Sequence, residues 1–331
     1  MLGILFWLAV KAVALAMSLV LSAAVLVLTL RKMLGYFTYR IGPNRVGPWG
    51  ILQPIADVVK MLFKEDIIPR DADNIVFRLA PIIALFTALA IWAVIPWGPS
   101  DKLAAYMSDP NAGILVFLAL GSLSVYGVAL GGWASQSKYS LLGSMRATAQ
   151  MISYELAMGM SLVGLLLMAG TTRLSGIVAA QGTGHYYFWI TQVVGFVVFF
   201  ISTLAEASWT PFDLPEAEAE LVGGYNTEYA GMRFGMFFFT ELIHAVTMAA
   251  MISLLYLGGW NTVSFLSFIP GTLAFIMKIM FVLFIYLWLR ATLPRFRYDR
   301  LMNFGWKVML PLAALNLVGT AVYVALWAPK A

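Results

Sequence analysis

Eight apolar runs, each long enough to cross a bilayer, dominate this chain. At about 20 apolar residues per span, they fall at roughly 4–30, 75–97, 112–132, 149–170, 186–208, 232–257, 271–293 and 305–328. Charged residues make up 11%, against about 25% in a typical soluble domain, and the mean hydropathy is +0.85. A soluble fold of 331 residues has too little interior to hide this much apolar surface. The fold class is therefore all-α, a polytopic membrane protein of about eight transmembrane helices. A β-barrel would show weak ten-residue alternation instead. The whole chain, 1–331, reads as a single integral membrane domain without internal repeats. Its opening run extends to about Leu30, too long for the core of a signal peptide, so it reads as a retained span.

Charge sorts the connections into two kinds. The odd loops, about 31–74, 133–148, 209–231 and 294–304, hold most of the basic residues. Arg31, Lys32, Arg40, Arg45, Lys60, Lys64 and Arg70 lie in the first alone. The even loops and the tail carry only Lys102, Arg173 and Lys330. By the positive-inside rule the odd loops face the cytoplasm and both termini lie outside. The net charge of +5 thus follows from topology and calls for no nucleic-acid partner.

The chain has no cysteine, which excludes a thiolate nucleophile and a cysteine-ligated iron–sulfur cluster. Its two histidines are His185 and His244, and His185 sits in a polar, glycine-containing stretch that does not suit bis-histidine haem. Glu241 and His244 form one E-x-x-H pair. Di-iron bundles use that motif twice with further glutamates, so no metal site is expected. No phosphate-binding glycine loop is present.

The first cytoplasmic loop contains a short helix with two faces. Ile51, Ile55, Val58, Val59 and Leu62 share one side, and Gln53, Asp57, Lys60 and Lys64 the other. Such a helix either lies in the membrane interface, as a lip that admits a lipid-soluble molecule, or covers the bundle as a plain surface helix. Periodicity does not separate the two.

Acidic residues concentrate elsewhere. The fifth connection, from Glu206 through Asp213, Glu216, Glu218 and Glu220 to Glu228, holds six of the sixteen acids. If partly buried, such a crowd titrates as a coupled set; the bland reading is a solvated face. Glu155 and Glu241 lie within predicted spans, where a charge costs about 2.5–3.5 kcal/mol. They are expected to face the interior, protonated or paired, as proton relays or as plain interhelical hydrogen-bond donors. Lys278 is also deep in a span, a candidate partner for a carboxylate or a relay member.

Four segments carry a resemblance: GPNRVGPWGILQPIADVVKMLFKED (42–66), GGWASQSKYSLLGSMRATAQMISYE (131–155), TPFDLPEAEAELVGGYNTEY (210–229) and LPRFRYDRLMNFGWK (293–307). In order and placement they strongly resemble the H-subunit family of bacterial respiratory complex I. The resemblance implies a membrane subunit of a proton-pumping NADH:quinone oxidoreductase in the bacterial inner membrane, without independent catalysis. It implies a narrow chamber that takes quinone as substrate, lined here by Arg31, Lys32, Arg40, Trp49, Asp57 and Phe234. It further implies a carboxylate file at Glu155, Glu206, Asp213, Glu216, Glu218, Glu220, Glu228 and Glu241, linking that chamber to the pumping subunits. The flavin (FMN) and iron–sulfur clusters belong, on this reading, to partners: peripheral-arm quinone-site and iron–sulfur subunits, small membrane subunits and antiporter-like subunits. Three positions depart from the family pattern. Leu30 stands where the family usually has Glu, Trp209 where it has Arg, and Leu242 where Tyr is common. The alternatives are a membrane subunit of an energy-converting hydrogenase-type complex, a stand-alone ion transporter, and a scaffold that only anchors partners.

Overall fold

The computed structural model describes residues 2–98, 107–183, 187–214, 222–262 and 268–327. It is helical throughout, with no strand among the described residues. α1 (Leu2–Phe37) leads into a loop, a 3-10 turn at Pro48–Gly50 and the short α2 (Gln53–Phe63). There follow α3 (Asn74–Ile91), α4 (Gly113–Ala134), α5 (Lys138–Ala169), α6 (Leu174–Thr183), α7 (Phe188–Thr191) and α8 (Val193–Glu206). After a 3-10 turn at Gly224–Asn226 come α9 (Gly231–Leu255), α10 (Gly271–Thr292) and α11 (Tyr298–Phe304). A π-helical turn at Gly305–Met309 joins α11 to α12 (Leu310–Trp327).

Seven of these helical stretches are long and apolar enough to cross a membrane, counting α11 through α12 as one, and α8 is a shorter apolar helix. The expected span at 186–208 is thus split. Its break lies at Gln192, whose amide donates to Thr320 Oγ1 at 2.8 Å and accepts from Asn316 Nδ2 at 2.9 Å. These side-chain bonds compensate a backbone that leaves the helix there (φ −122°, ψ 47°). The loop expected at 133–148 is also corrected: α5 begins at Lys138. Ser140, Gly143, Ser144 and Ala147 on this first part are buried. Low hydropathy there marks contact with protein instead of a loop.

α9 is the axis of the bundle. Of its apolar stretch 89% is buried, against 22% for α1, and it packs on α3, α10, α1, α2, α8 and α6. Its residues therefore show no amphipathic stripe, as a helix surrounded by others should not. A second, smaller core sits at the end of the bundle where α9 begins. Phe77 stacks on Tyr229 at 4.1 Å, and Phe237 meets Tyr229 and Tyr225 edge-on at 5.0 and 5.3 Å. This aromatic cluster fixes residues 225–229 against α3, α4 and α9.

Candidate functional site

Two neighbouring depressions lie where α1 ends. The 3-10 turn before α2 brings Gly50 against the Pro43 carbonyl at φ 74°, a place for a residue without Cβ. That contact folds residues 40–50 back on α1, and Arg40 N donates to Gly35 O at 2.7 Å. The resulting groove of about 700 Å³ is lined by Lys32, Tyr36, Tyr39, Arg40 and Trp49, with the 41–44 loop. On the other side is a cleft of about 20 Å³ lined by Arg31, Pro54, Asp57, Val58, Met61, Phe238 and Phe239, with Ala24 and Val27 of α1. There Arg31 Nη1 meets Asp57 Oδ2 at 2.5 Å, and Gln53 Nε2 donates to Asp57 Oδ1 at 3.0 Å. Phe234 is half-buried one turn below Phe238, its ring parallel to that of Phe238 at 6.3 Å. The six residues expected to line one chamber thus form two adjoining groups. Arg31 and Asp57 share the cleft, with Phe234 stacked on its wall. Lys32, Arg40 and Trp49 share the groove.

α2 sets Pro54, Asp57, Val58 and Met61 against α1 and α9 and turns most of its other apolar side chains outward, with Lys60 and Lys64. Ile51, Ile55, Val59 and Leu62 are exposed, whereas Gln53 and Asp57 are half-buried.

The acids among the described residues fall into four places. Glu206, the last residue of α8, is 6% exposed, and Glu155 on α5 acts on it electrostatically. Ser122 Oγ of α4 donates to Glu155 Oε1. Gln150, five residues before Glu155, donates to the carbonyls of Ala205 and Phe212, both at 2.8 Å, and so pins the end of α8 to α5. Glu241 lies on α9, with Arg290 Nη1 of α10 at 3.9 Å. Asp213 pairs with Arg295 at 2.7 Å. Glu228 is half-buried beside the aromatic cluster. Glu216, Glu218 and Glu220 lie outside the described residues, as does His185. Next to Glu228, burial pushes the Tyr229 hydroxyl up from its ordinary value, so it is a neutral donor, to the Phe77 carbonyl at 3.2 Å.

Several functional candidates escape a reading of the sequence. Ser124 Oγ lies 2.9 Å from His244 Nε2, so α4 touches Glu155 through Ser122 and His244 through Ser124. Serine in an apolar helix gives no warning of this. His244 is visible in sequence only as half of a metal-like pair. Among the described residues no three His, Asp or Glu side chains gather as a metal would require. Arg290 reads in sequence as a topology charge at a helix end. Lys278 engages backbone: its ammonium donates to the carbonyls of Leu257, Gly259 and Asn261 at 2.7, 2.8 and 2.7 Å.

The family model for NADH dehydrogenase matches residues 10–321. A Symbiobacterium thermophilum protein, named as the first H subunit of NADH-quinone oxidoreductase, is 61% identical over 321 residues, covering 97% of both chains. The proteins named as the H subunit of the same oxidoreductase in Rickettsia prowazekii and Rhodospirillum centenum are 51% and 50% identical, over 94% and 96% of this chain and 91% and 94% of theirs. With one family model spanning nearly the whole chain and half or more of the residues shared with these relatives, the chain belongs to the NADH dehydrogenase family.

Proposed function

We propose that this chain is the membrane subunit of a proton-pumping NADH:quinone oxidoreductase that forms the path for quinone and a carboxylate relay to the pumping subunits. Its relatives carry the name of such an oxidoreductase subunit. Quinone is the substrate, and FMN and iron–sulfur clusters reside on partner chains. One observation carries the reading: Glu206, enclosed at the loop end of α8, lies within electrostatic reach of Glu155 on α5, to which Ser122 donates and whose helix Gln150 ties to the end of α8. Two carboxyls inside a low-dielectric interior do not both ionise cheaply. A proton gained or lost by one therefore changes the state of the other. The outward apolar face of α2 supports a lip at the bilayer surface. The Arg31–Asp57 pair beneath it and the basic groove of Lys32 and Arg40 suit a polar headgroup.

In this mechanism quinone reduction draws protons near the groove and changes local charge. Glu206 and the loop acids from Asp213 to Glu228 respond by changing protonation, and the bias passes to Glu155 and Glu241. The test uses the complex that co-purifies with this chain in mild detergent, which is expected to contain flavin and iron–sulfur subunits. In that complex Glu155→Gln is expected to lower coupled turnover about a hundredfold, the lower end of what one positioned acid–base group contributes, while assembly stays normal. Unchanged quinone reduction and pumping in Glu155→Gln would remove Glu155 from the relay. Partners without flavin would remove the oxidoreductase reading itself.

On this reading the odd loops face the cytoplasm. Because the chain has no cysteine, single cysteines report topology cleanly. A cysteine at Lys64 is expected to react with an impermeant maleimide only in inverted vesicles, and one at Ser108 only in right-side-out cells. The reverse pattern would invert the topology.

A further inference from the structure

The turn that follows α8 is gripped by the end of α10. Ser208 takes a left-handed backbone (φ 53°) and turns Trp209 inward, where it is fully buried. Trp209 N donates to Leu204 O at 3.3 Å and Trp209 O accepts from Phe212 N at 2.8 Å, so the indole is fixed by its own turn. The Arg290 guanidinium lies over the indole face at 5.1 Å from the ring centroid. Five residues on, Arg295 pairs with Asp213, and Phe296 N donates to Pro211 O at 3.1 Å. Segments 209–213 and 290–296 are therefore joined side by side.

The same guanidinium reaches α9, with Nη1 3.9 Å from Glu241 Oε1. That separation is too long for a hydrogen bond, so the carboxylate does not itself lock the arginine. Arg290 is partly exposed, at 26%, and a long basic side chain in the last turn of a helix is free to snorkel toward water. The indole face supplies what holds it in place, since a cation within about 6 Å of a tryptophan centroid is attracted by the ring quadrupole.

We propose that Trp209 is a positioning residue, whose ring holds the Arg290 guanidinium against Glu241 so that the set of the 208–213 turn is passed to the carboxylate on α9. The inference rests on the relay reading of Glu241. It identifies a link from the acidic loop into the bundle axis that uses no carboxylate of the loop.

The test is a double-mutant cycle in the assembled complex, read as quinone-reductase turnover and as protons moved per electron. Trp209→Leu is expected to lower coupled turnover about three- to tenfold, the effect of losing a partly desolvated cation–π contact. In a Glu241→Gln background it is expected to cost no more than about 1.5-fold, because coupled residues do not add. Trp209→Phe, which keeps a ring face, is expected to retain at least half the turnover. A tryptophan that merely fills space would cost the same in both backgrounds, and that result overturns the proposal. Phenylalanine failing as badly as leucine overturns it too. Should Trp209→Leu not assemble, Trp209→Met takes its place in the cycle with the same criterion. Normal turnover in Glu241→Gln alone would instead overturn the relay reading of Glu241, whatever Trp209 does.

Discussion

Replacing Lys278 with methionine is expected to remove most of this protein from the membrane. The ammonium sits beyond the end of α9, where Gly258 and Gly259 turn the chain at φ 75° and 52°. It donates to three carbonyls there, at 2.7–2.8 Å. The Tyr187 ring covers it at 5.6 Å. Gln181 adds bonds to the carbonyls of Leu254 and Leu255, at 3.0 and 3.2 Å. A hydrogen bond to a charged group contributes about 1.5–3 kcal/mol. Losing three together, even without full additivity, is of the order of the 5–15 kcal/mol that separates folded from unfolded states. Methionine fills the volume and offers no donor, so the carbonyls are left unpaired. The measurement is the steady-state level of the chain in membranes, expected to fall at least fivefold, with Lys278→Arg recovering part of it. Wild-type levels of Lys278→Met would mean that the turn is held by its glycines and Gln181 alone.

The second large effect is expected at Gly143. An added Cβ there would lie 2.7 Å from Gly224 Cα, Gly224 C and Tyr225 N, all backbone atoms that no rotamer change can move aside. Ser140 Oγ, one turn earlier, donates to Tyr225 O at 3.0 Å. α5 thus meets the 224–226 turn at bare backbone, and that turn carries Glu228 and the Tyr225–Tyr229 cluster. Overpacking costs about 1–3 kcal/mol, enough to displace the turn by itself. Gly143→Val is expected to lower coupled turnover more than tenfold while the chain remains inserted. Gly159→Val on the same helix provides the contrast, because no atom lies within 4 Å of its added Cβ. Equal turnover in the two variants would show that the 224–226 turn is not needed where it is seen.

The spans were legible because a membrane-crossing helix is written in one long apolar run, and the amphipathic α2 because its two faces alternate at helical spacing. What escaped lay where protein replaces lipid as the surrounding medium. The polar start of α5 reads as a loop until residues 222–229 are seen packed on it, and Gln192 reads as one polar residue in a span until Thr320 and Asn316 surround it. The same limit applies to the candidate site. Glu155 and Glu241 stand out in sequence, since an acid in a span is rare. Their partners Ser122 and Arg290 do not, because a serine or a terminal arginine is ordinary there. Trp209 is the clearest case: in one dimension it is only a tryptophan where the resemblance implies an arginine, whereas in space its indole carries the guanidinium of a residue 81 positions later, Arg290.

The burial of α9 bears on how such a chain is built. Synthesis runs from the N-terminus, so α1, α2, α3, α6 and α8, all of which touch α9, precede it at the insertion machinery, as does Ser124, the partner of His244. Among the long spans packed against it, α10 alone is made later. This helix, with an acid and a histidine at mid-depth, is thus released toward a receptacle whose polar contacts are largely in place. Only the arginine beside its acid must wait, for about fifty further residues, until α10 closes the ring.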